Sequence, residues 1–238
     1  MEMNGEPFIV SSPKDDMICM RVSPGHFATS NSHVSHYLDM SVLKRNARVA
    51  MDVARDLAIS YLGVSAVVDT IVCMEGTEII GAFLAQQLLQ NDTMIMNSDN
   101  EIHVLTPTNN TQNHLSFLRS EHDHIAGKQI ILLFASVSSG STISRALDCL
   151  SYYGGELIGI SALFTALEQV REHRISALFT PVDIPGYRSS RPSECDMCKQ
   201  GQKLDGIVTG RSYADLYPIL PGVAASEGQG YDDPPVME

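Results

Sequence analysis

In Val137-Ser138-Ser139-Gly140-Ser141-Thr142, four hydroxyl side chains surround one glycine, two residues after the apolar run 130–134. Hydroxyl donors, successive backbone N–H groups and the start of a following helix together make a positive concavity suited to a phosphate. A side chain at Gly140 would be expected to fill that cradle. The plain alternative is a strand-to-helix turn with a Ser N-cap. A second turn, Glu75-Gly76-Thr77, also follows an apolar strand and precedes a helix, and the acids Glu75 and Glu78 flank it. A single glycine there reads equally as a tight turn. Arg119, His122 and His124 are of types that act as cations or proton carriers over a ligand, or that simply solvate a loop. Cys195 and Cys198, with His33 and His36 or Cys19 elsewhere, are of zinc-ligand types. One Cys pair without a second at characteristic spacing weighs toward a surface loop with locally packed, reduced thiols.

The elements that must position these residues follow from periodicity. Residues 41–62 carry Val42, Leu43, Val49, Ala50, Val53, Leu57 and Ala58 at helical spacing, which predicts one helix with a buried face. Residues 65–74 are short and β-branched, and 78–89 return to a helical pattern. Short strands are expected over 93–96 and 102–105, around a turn at 97–100. Strand 129–134, helix 141–153 closed by Gly154-Gly155, and strand 157–164 make a βαβ unit with parallel strands. A further strand is expected over 177–180. Tyr152, Tyr153, Leu147 and Leu150 read as a helix face against the sheet. The expected architecture is α/β, an open, mostly parallel sheet with helices on both faces. Both glycine turns fall at the carboxyl ends of strands, where such sheets bind ligands.

At 238 residues with 44% apolar content, the chain can bury a substantial core. Its net charge of −12, with only 16 Lys and Arg, argues against nucleic-acid or anionic-membrane partners. No apolar run reaches membrane-span length and residues 1–12 lack signal-peptide character, so a cytoplasmic location is expected. Five cysteines, an odd number with two in apolar contexts, point to reduced thiols rather than a disulfide scaffold. Residues 227–238, rich in Gly, Pro and acid, read as a disordered tail.

Four segments in order resemble type I phosphoribosyltransferases, and among them orotate phosphoribosyltransferase. Residues 137–142 match the loop that grips the 5′-phosphate of phosphoribosyl pyrophosphate, which implies Ser138, Ser139, Gly140, Ser141 and Thr142 as phosphate ligands. Residues 74–81 stand where that family has Leu-Gly-Gly-x-Pro-Leu-Ala, implying a pyrophosphate turn at Glu75, Gly76 and Thr77 with Gly76 as the matching glycine. Residues 29–39 resemble the Ser-Gly-Lys-x-Ser-x-x-Tyr-Ile-Asp hood segment that covers the base, with Ser30 and Tyr37 as its candidate contacts. Residues 195–204 look like the Cys-Pro-x-Cys-x-x-Gly tail of some members. The implied organisation is a hood segment over 1–40, an α/β core over 41–180, an irregular cap with the Cys pair over 181–220 and a tail over 221–238. The resemblance also implies a homodimer and Mg2+ carried by the substrate.

The departures are specific. The acidic pair that holds the ribose hydroxyls is Phe134-Ala135 here, and the mobile-loop equivalent, 117–127, has no Lys before Lys128. In the hood, Asn31, Ser32 and Val34 replace the family's Gly, Lys and Ser. Three readings stay open. The protein binds phosphoribosyl pyrophosphate or a nucleoside monophosphate without the family's chemistry; it is a working orotate phosphoribosyltransferase of pyrimidine synthesis, with Glu75 or Glu78 substituting for the pair; or it is a non-catalytic interaction protein.

Overall fold

The computed structural model describes residues 5–61, 67–90, 101–109 and 114–208, and the backbone of 213–215. The chain opens with β1 (Phe8–Ser11), β2 (Cys19–Ala28) and β3 (His33–Asp39), followed by α1 (Ser41–Arg45) and α2 (Ala47–Ala58). Next come β4 (Thr70–Cys73), α3 (Glu78–Gln90), β5 (His103–Leu105), and the short pair β6 (Thr108–Asn109) and β7 (Leu115–Ser116). The second half holds β8 (Gln129–Val137), α4 (Ser141–Tyr153), β9 (Glu156–Thr165), β10 (Gln169–Val170) and β11 (His173–Phe179). It closes with β12 (Ser189–Ser190), α5 (Asp196–Lys199), β13 (Gly206–Val208) and β14 (Tyr213–Asp215).

The main sheet has the order β10-β11-β9-β8-β4-β5. All its pairings are parallel except that of the edge strand β10. Strand β8 sits inside it with both faces covered, which its unbroken apolar sequence requires. Ile131, Leu133 and Ala135 face the α2 and α3 side, whereas Ile130, Leu132 and Phe134 face α4. That alternation is the period of two inherent to a strand. The fold is therefore the expected α/β sheet with helices on both faces. Among the described residues, no helix is long and apolar enough to cross a membrane.

A second sheet, of order β12-β3-β2-β13-β14 with β1 beside β2, forms a hood. Its Ile18, Met20, Val22 and Met40 belong to the same buried cluster as α2, α3 and one face of the main sheet. The hood is thus anchored by shared apolar burial. Residues read from sequence as an irregular cap contribute β12, antiparallel to β3, and β13, parallel to β2.

Three boundaries differ from expectation. The helix expected over 41–62 is broken at Asn46, whose extended backbone (φ −80°, ψ 111°) ends α1. The Asn46 side chain accepts from the N–H groups of Arg48 and Val49 at 3.1 and 3.3 Å, so it starts α2 as an N-cap. Periodicity carries through such a break because both halves bury the same side. Strand β8 runs three residues past Phe134, and β11 begins four residues before 177. The expected strand at 93–96, the turn at 97–100 and the tail at 227–238 lie outside the described residues.

The Asn46 cap forms the junction of α1 with α2, and it is testable at an exposed position. Asn46→Ala is expected to lower stability by about 1 kcal/mol in urea denaturation, with Asn46→Asp close to wild type. Equal midpoints for all three proteins would mean that the cap contributes nothing.

Candidate functional site

A cleft of about 320 Å³ opens where the carboxyl ends of β4 and β8 meet the hood. One wall is the turn from β8 into α4. Ser138, Ser139, Gly140 and Thr142 line it, and Ser141 stands beside them with its Oγ 3.2 Å from that of Ser139. Gly140 is the N-cap of α4 with φ +73°, in the left-handed region that glycine adopts freely. No N-cap side chain bonds to this thirteen-residue helix, so its first N–H groups and its dipole are directed at the turn. Arg145, one turn into α4, donates from Nη2 to Thr142 Oγ1 at 3.3 Å.

The role expected for the absent side chain of Gly140 needs correction. A Cβ there would point away from the cradle and meet Val170 Cγ2 at 2.8 Å and Leu167 Cδ1 at 3.1 Å. Substitution would strain the turn and the packing beneath it rather than fill the cleft.

The floor is formed by the end of β8 and the Glu75 turn. Phe134 and Ala135 are 0% and 4% exposed and point to opposite faces of the sheet. The carboxylate at this point comes from Glu75, whose Oε2 accepts from the Ser136 N–H at 3.1 Å. Glu75 has φ +60°, a conformation that costs a non-glycine residue about 1–3 kcal/mol and that recurs at functional sites. Burial raises its pKa, opposed by the hydrogen bond from Ser136 and by the charge of Lys44.

Lys44, on α1, also lines the cleft, and its Nζ donates to the Glu75 carbonyl at 3.0 Å. Burial lowers its pKa while the Glu75 carboxylate works the other way. Thr77 serves the fold rather than a ligand, for it is fully buried and its Oγ1 lies 2.9 Å from the Met74 carbonyl and 3.2 Å from that of Leu133. Gly76 is exposed with φ +80° beside Lys44; neither it nor Thr77 lines the cleft.

The hood supplies the roof. Ser30, Asn31 and Tyr37 line the cleft with Thr29, whose hydroxyl closes the β2–β3 turn by donating to the Ser32 carbonyl at 2.9 Å. Val208 reaches the same space from β13.

Other candidates lie elsewhere. Glu78 turns to Thr106, whose hydroxyl donates to its Oε1 at 3.2 Å, so Glu75 alone of the two acids lines the cleft. Arg119, His122 and His124 form a short 3₁₀ segment before β8, at the amino ends of the strands and opposite the cleft. There the Thr70 hydroxyl, at the start of β4, donates to the His124 carbonyl at 2.6 Å. Cys195 and Cys198 do meet His33, but the fourth member of the group is His26. His36 instead bonds to Ser35 and stacks on Tyr187, and Cys19 pairs in register with Ser11. Two cations, Lys44 lining the cleft and Arg145 bonded to Thr142 behind it, were missed from sequence, because a lysine or arginine in a helix carries no mark of what it faces.

No family model matches the sequence, and no curated protein matches it. Solved structures do. Orotate phosphoribosyltransferase of Mycobacterium tuberculosis H37Rv, in complex with 5-phospho-α-D-ribosyl 1-diphosphate, is 11% identical over 62% of this chain and 82% of its own, with a TM-score of 0.43. UMP synthase of Leishmania donovani is 17% identical over 67% of this chain and 33% of its own, with a TM-score of 0.49. Adenine phosphoribosyltransferase of Thermoanaerobacter pseudethanolicus is 14% identical over 61% and 88%, with a TM-score of 0.45.

The Glu75 carboxyl makes a pH prediction. A carboxyl whose pKa is higher folded than unfolded binds more protons in the folded state. Its stabilising share is present below the ordinary value of 4.5 and is lost as pH rises through the raised value. Wild-type stability relative to Glu75→Gln should therefore decline as pH is raised from 4.5, in urea titrations at successive pH values. Parallel pH profiles for the two proteins would contradict the assignment.

Proposed function

We propose that the protein binds a 5′-phosphoribosyl ligand, phosphoribosyl pyrophosphate or a nucleoside monophosphate, in the cleft between the β8–α4 turn and the hood. The observation that carries this reading is the uncapped start of α4 behind Ser138, Ser139 and Gly140, opening into the same space as Lys44. Helix N–H groups and hydroxyls suit a phosphate dianion. In a chain of net charge −12, Lys44 and Arg145 supply the local positive field such a ligand needs. A diphosphate would lie toward the Glu75–Gly76 turn, within reach of Lys44, and the base would sit under Ser30, Asn31 and Tyr37.

Binding without the family's usual chemistry is the favoured form. An oxocarbenium-like transition state draws on nearby negative charge, and among the described residues lining the cleft Glu75 is the only carboxylate. One specific observation supports the active alternative. The Glu75 carboxylate bonds to Ser136, next to the missing pair, so it is available to ribose hydroxyls or to the Mg2+ that accompanies a diphosphate. A magnesium ion held by one carboxylate and substrate oxygens is an ordinary arrangement.

Calorimetric titration with phosphoribosyl pyrophosphate and Mg2+ tests the reading, with exposed Ser139 replaced by Asp to set a negative charge in the cradle. Wild type is expected to bind, and Ser139→Asp to bind at least about tenfold more weakly, a loss of about 1.4 kcal/mol. Equal affinity would move the phosphate out of the cradle. Orotate absorbance should stay constant in the same mixture; its decay in wild type but not in Glu75→Gln would establish the active alternative.

A further inference from the structure

A second cluster lies outside the cleft, where the hood meets the segment leading to β13. His26 on β2, His33 at the start of β3, and Cys195 and Cys198 at the two ends of a tight Cys-x-x-Cys turn bring one ring nitrogen or sulfur each within 4.8 Å of one another. His26 Nε2 is 3.1 Å from His33 Nδ1, 3.5 Å from Cys195 Sγ and 3.7 Å from Cys198 Sγ, and Cys198 Sγ is 3.2 Å from His33 Nδ1. A tetrahedral zinc with ordinary bond lengths separates two nitrogens by about 3.3 Å, nitrogen and sulfur by about 3.6 Å, and two sulfurs by about 3.8 Å. These four separations each lie within about 0.4 Å of those values.

The tautomer agrees. His26 Nδ1 is 3.0 Å from the Gln202 carbonyl, which can only accept, so the proton sits on Nδ1 and the Nε2 lone pair faces the cluster. Such a carbonyl behind a histidine is the usual support of a metal ligand. The main chain is fixed as well: Asp205 Oδ2 accepts from the His26 N–H, and the Asp205 N–H donates to the His26 carbonyl, both at 2.7 Å. His26 and Cys195 are buried, so at least these two ligands cannot satisfy themselves with bulk water.

We propose that His26, His33, Cys195 and Cys198 bind one zinc ion in a closed structural site. Binding releases the two thiol protons to solvent, and two thiolates with two neutral imidazoles leave the centre uncharged. With four protein ligands there is no open position for a reacting water. The ion clips the segment 195–205 to the β2–β3 hairpin, whose turn carries Ser30 and Asn31 into the cleft.

Metal analysis of the full chain, purified without chelator, is the test, combined with cobalt substitution and single replacements at the less buried ligands, Cys198→Ala and His33→Ala. Expected are about one zinc per chain in wild type, an intense tetrahedral cobalt spectrum with thiolate charge-transfer bands, and loss of both in each variant. Folding of the variants is checked by circular dichroism. Should a variant fail to fold, chelation of wild type replaces it, with a lowered melting temperature restored by zinc as the expected result. A folded wild type that carries no zinc and gives no tetrahedral cobalt spectrum would overturn the proposal, as would a Cys195–Cys198 disulfide in freshly purified protein.

Discussion

The pairing of β4 with β8 in the interior of the parallel sheet is the constraint from which the rest follows. Residues 70–73 of β4 and 130–135 of β8 are buried, so a polar group there needs a protein partner. Polar groups are admitted only where the strands end. There the two chain ends are joined side by side: the Met74 N–H donates to the Leu133 carbonyl at 2.8 Å, and the Thr77 hydroxyl bridges the Met74 and Leu133 carbonyls. The Glu75 turn and the Ser138–Gly140 turn are therefore held at a fixed separation by backbone geometry. The cleft between them is a consequence of sheet pairing rather than of its own side chains.

That framework also positions the carboxylate of the cleft. Toward the end of β8, residues 134 and 135 lie on opposite faces and both belong to the core, Phe134 against α4 and Ala135 against the α2 and α3 side. The neighbouring turn then provides the acid, because a residue at φ +60° projects Glu75 across to the Ser136 N–H. Desolvation disfavours the charge; the Ser136 bond and Lys44 favour it, and they lie on β8 and α1 respectively. Three elements have to meet for one half-buried carboxylate to be tolerated.

Sequence reading reached the sheet because β8, α4 and β9 have clean periods, and it reached the cradle because hydroxyls around a glycine after an apolar strand are a local signal. It also found Glu75, though only as one of two acids beside a turn. It did not find Lys44. Leu43 and Lys44 are adjacent in α1, and neighbouring helix positions project about 100° apart, so one is buried in the core and the other lines the cleft, a choice of faces that sequence alone does not assign. His26 was missed for a related reason: it sits in a strand, seven residues from His33 and far from the Cys pair, and a hairpin register is needed to bring the two histidines together. For the loop 117–127, a place over a ligand and a solvated loop both stay open from sequence, because sequence order alone does not say at which end of a sheet a connection lies. Its Phe117 and Ile125 are buried with the α4 side of the core, at the amino ends of the strands.

Charge decides what kind of ligand the cleft can accept. Glu75 and Lys44 come close to cancelling, and the chain as a whole carries −12, so long-range attraction works against an anion. In the proposed function, affinity for a phosphate comes from short-range, oriented groups: the N–H groups at the start of α4, the hydroxyls of Ser138, Ser139 and Thr142, and Arg145 behind Thr142. Such groups favour a compact anion with several acceptor oxygens over a diffuse one, because each N–H is already aimed and needs no further ordering on binding. A monocarboxylate would leave part of the cradle unused. In the proposed function a terminal phosphate takes the cradle, and the remaining length of the cleft, from the Glu75 turn and Lys44 to the hood hydroxyls, is left for the rest of a phosphoribosyl ligand.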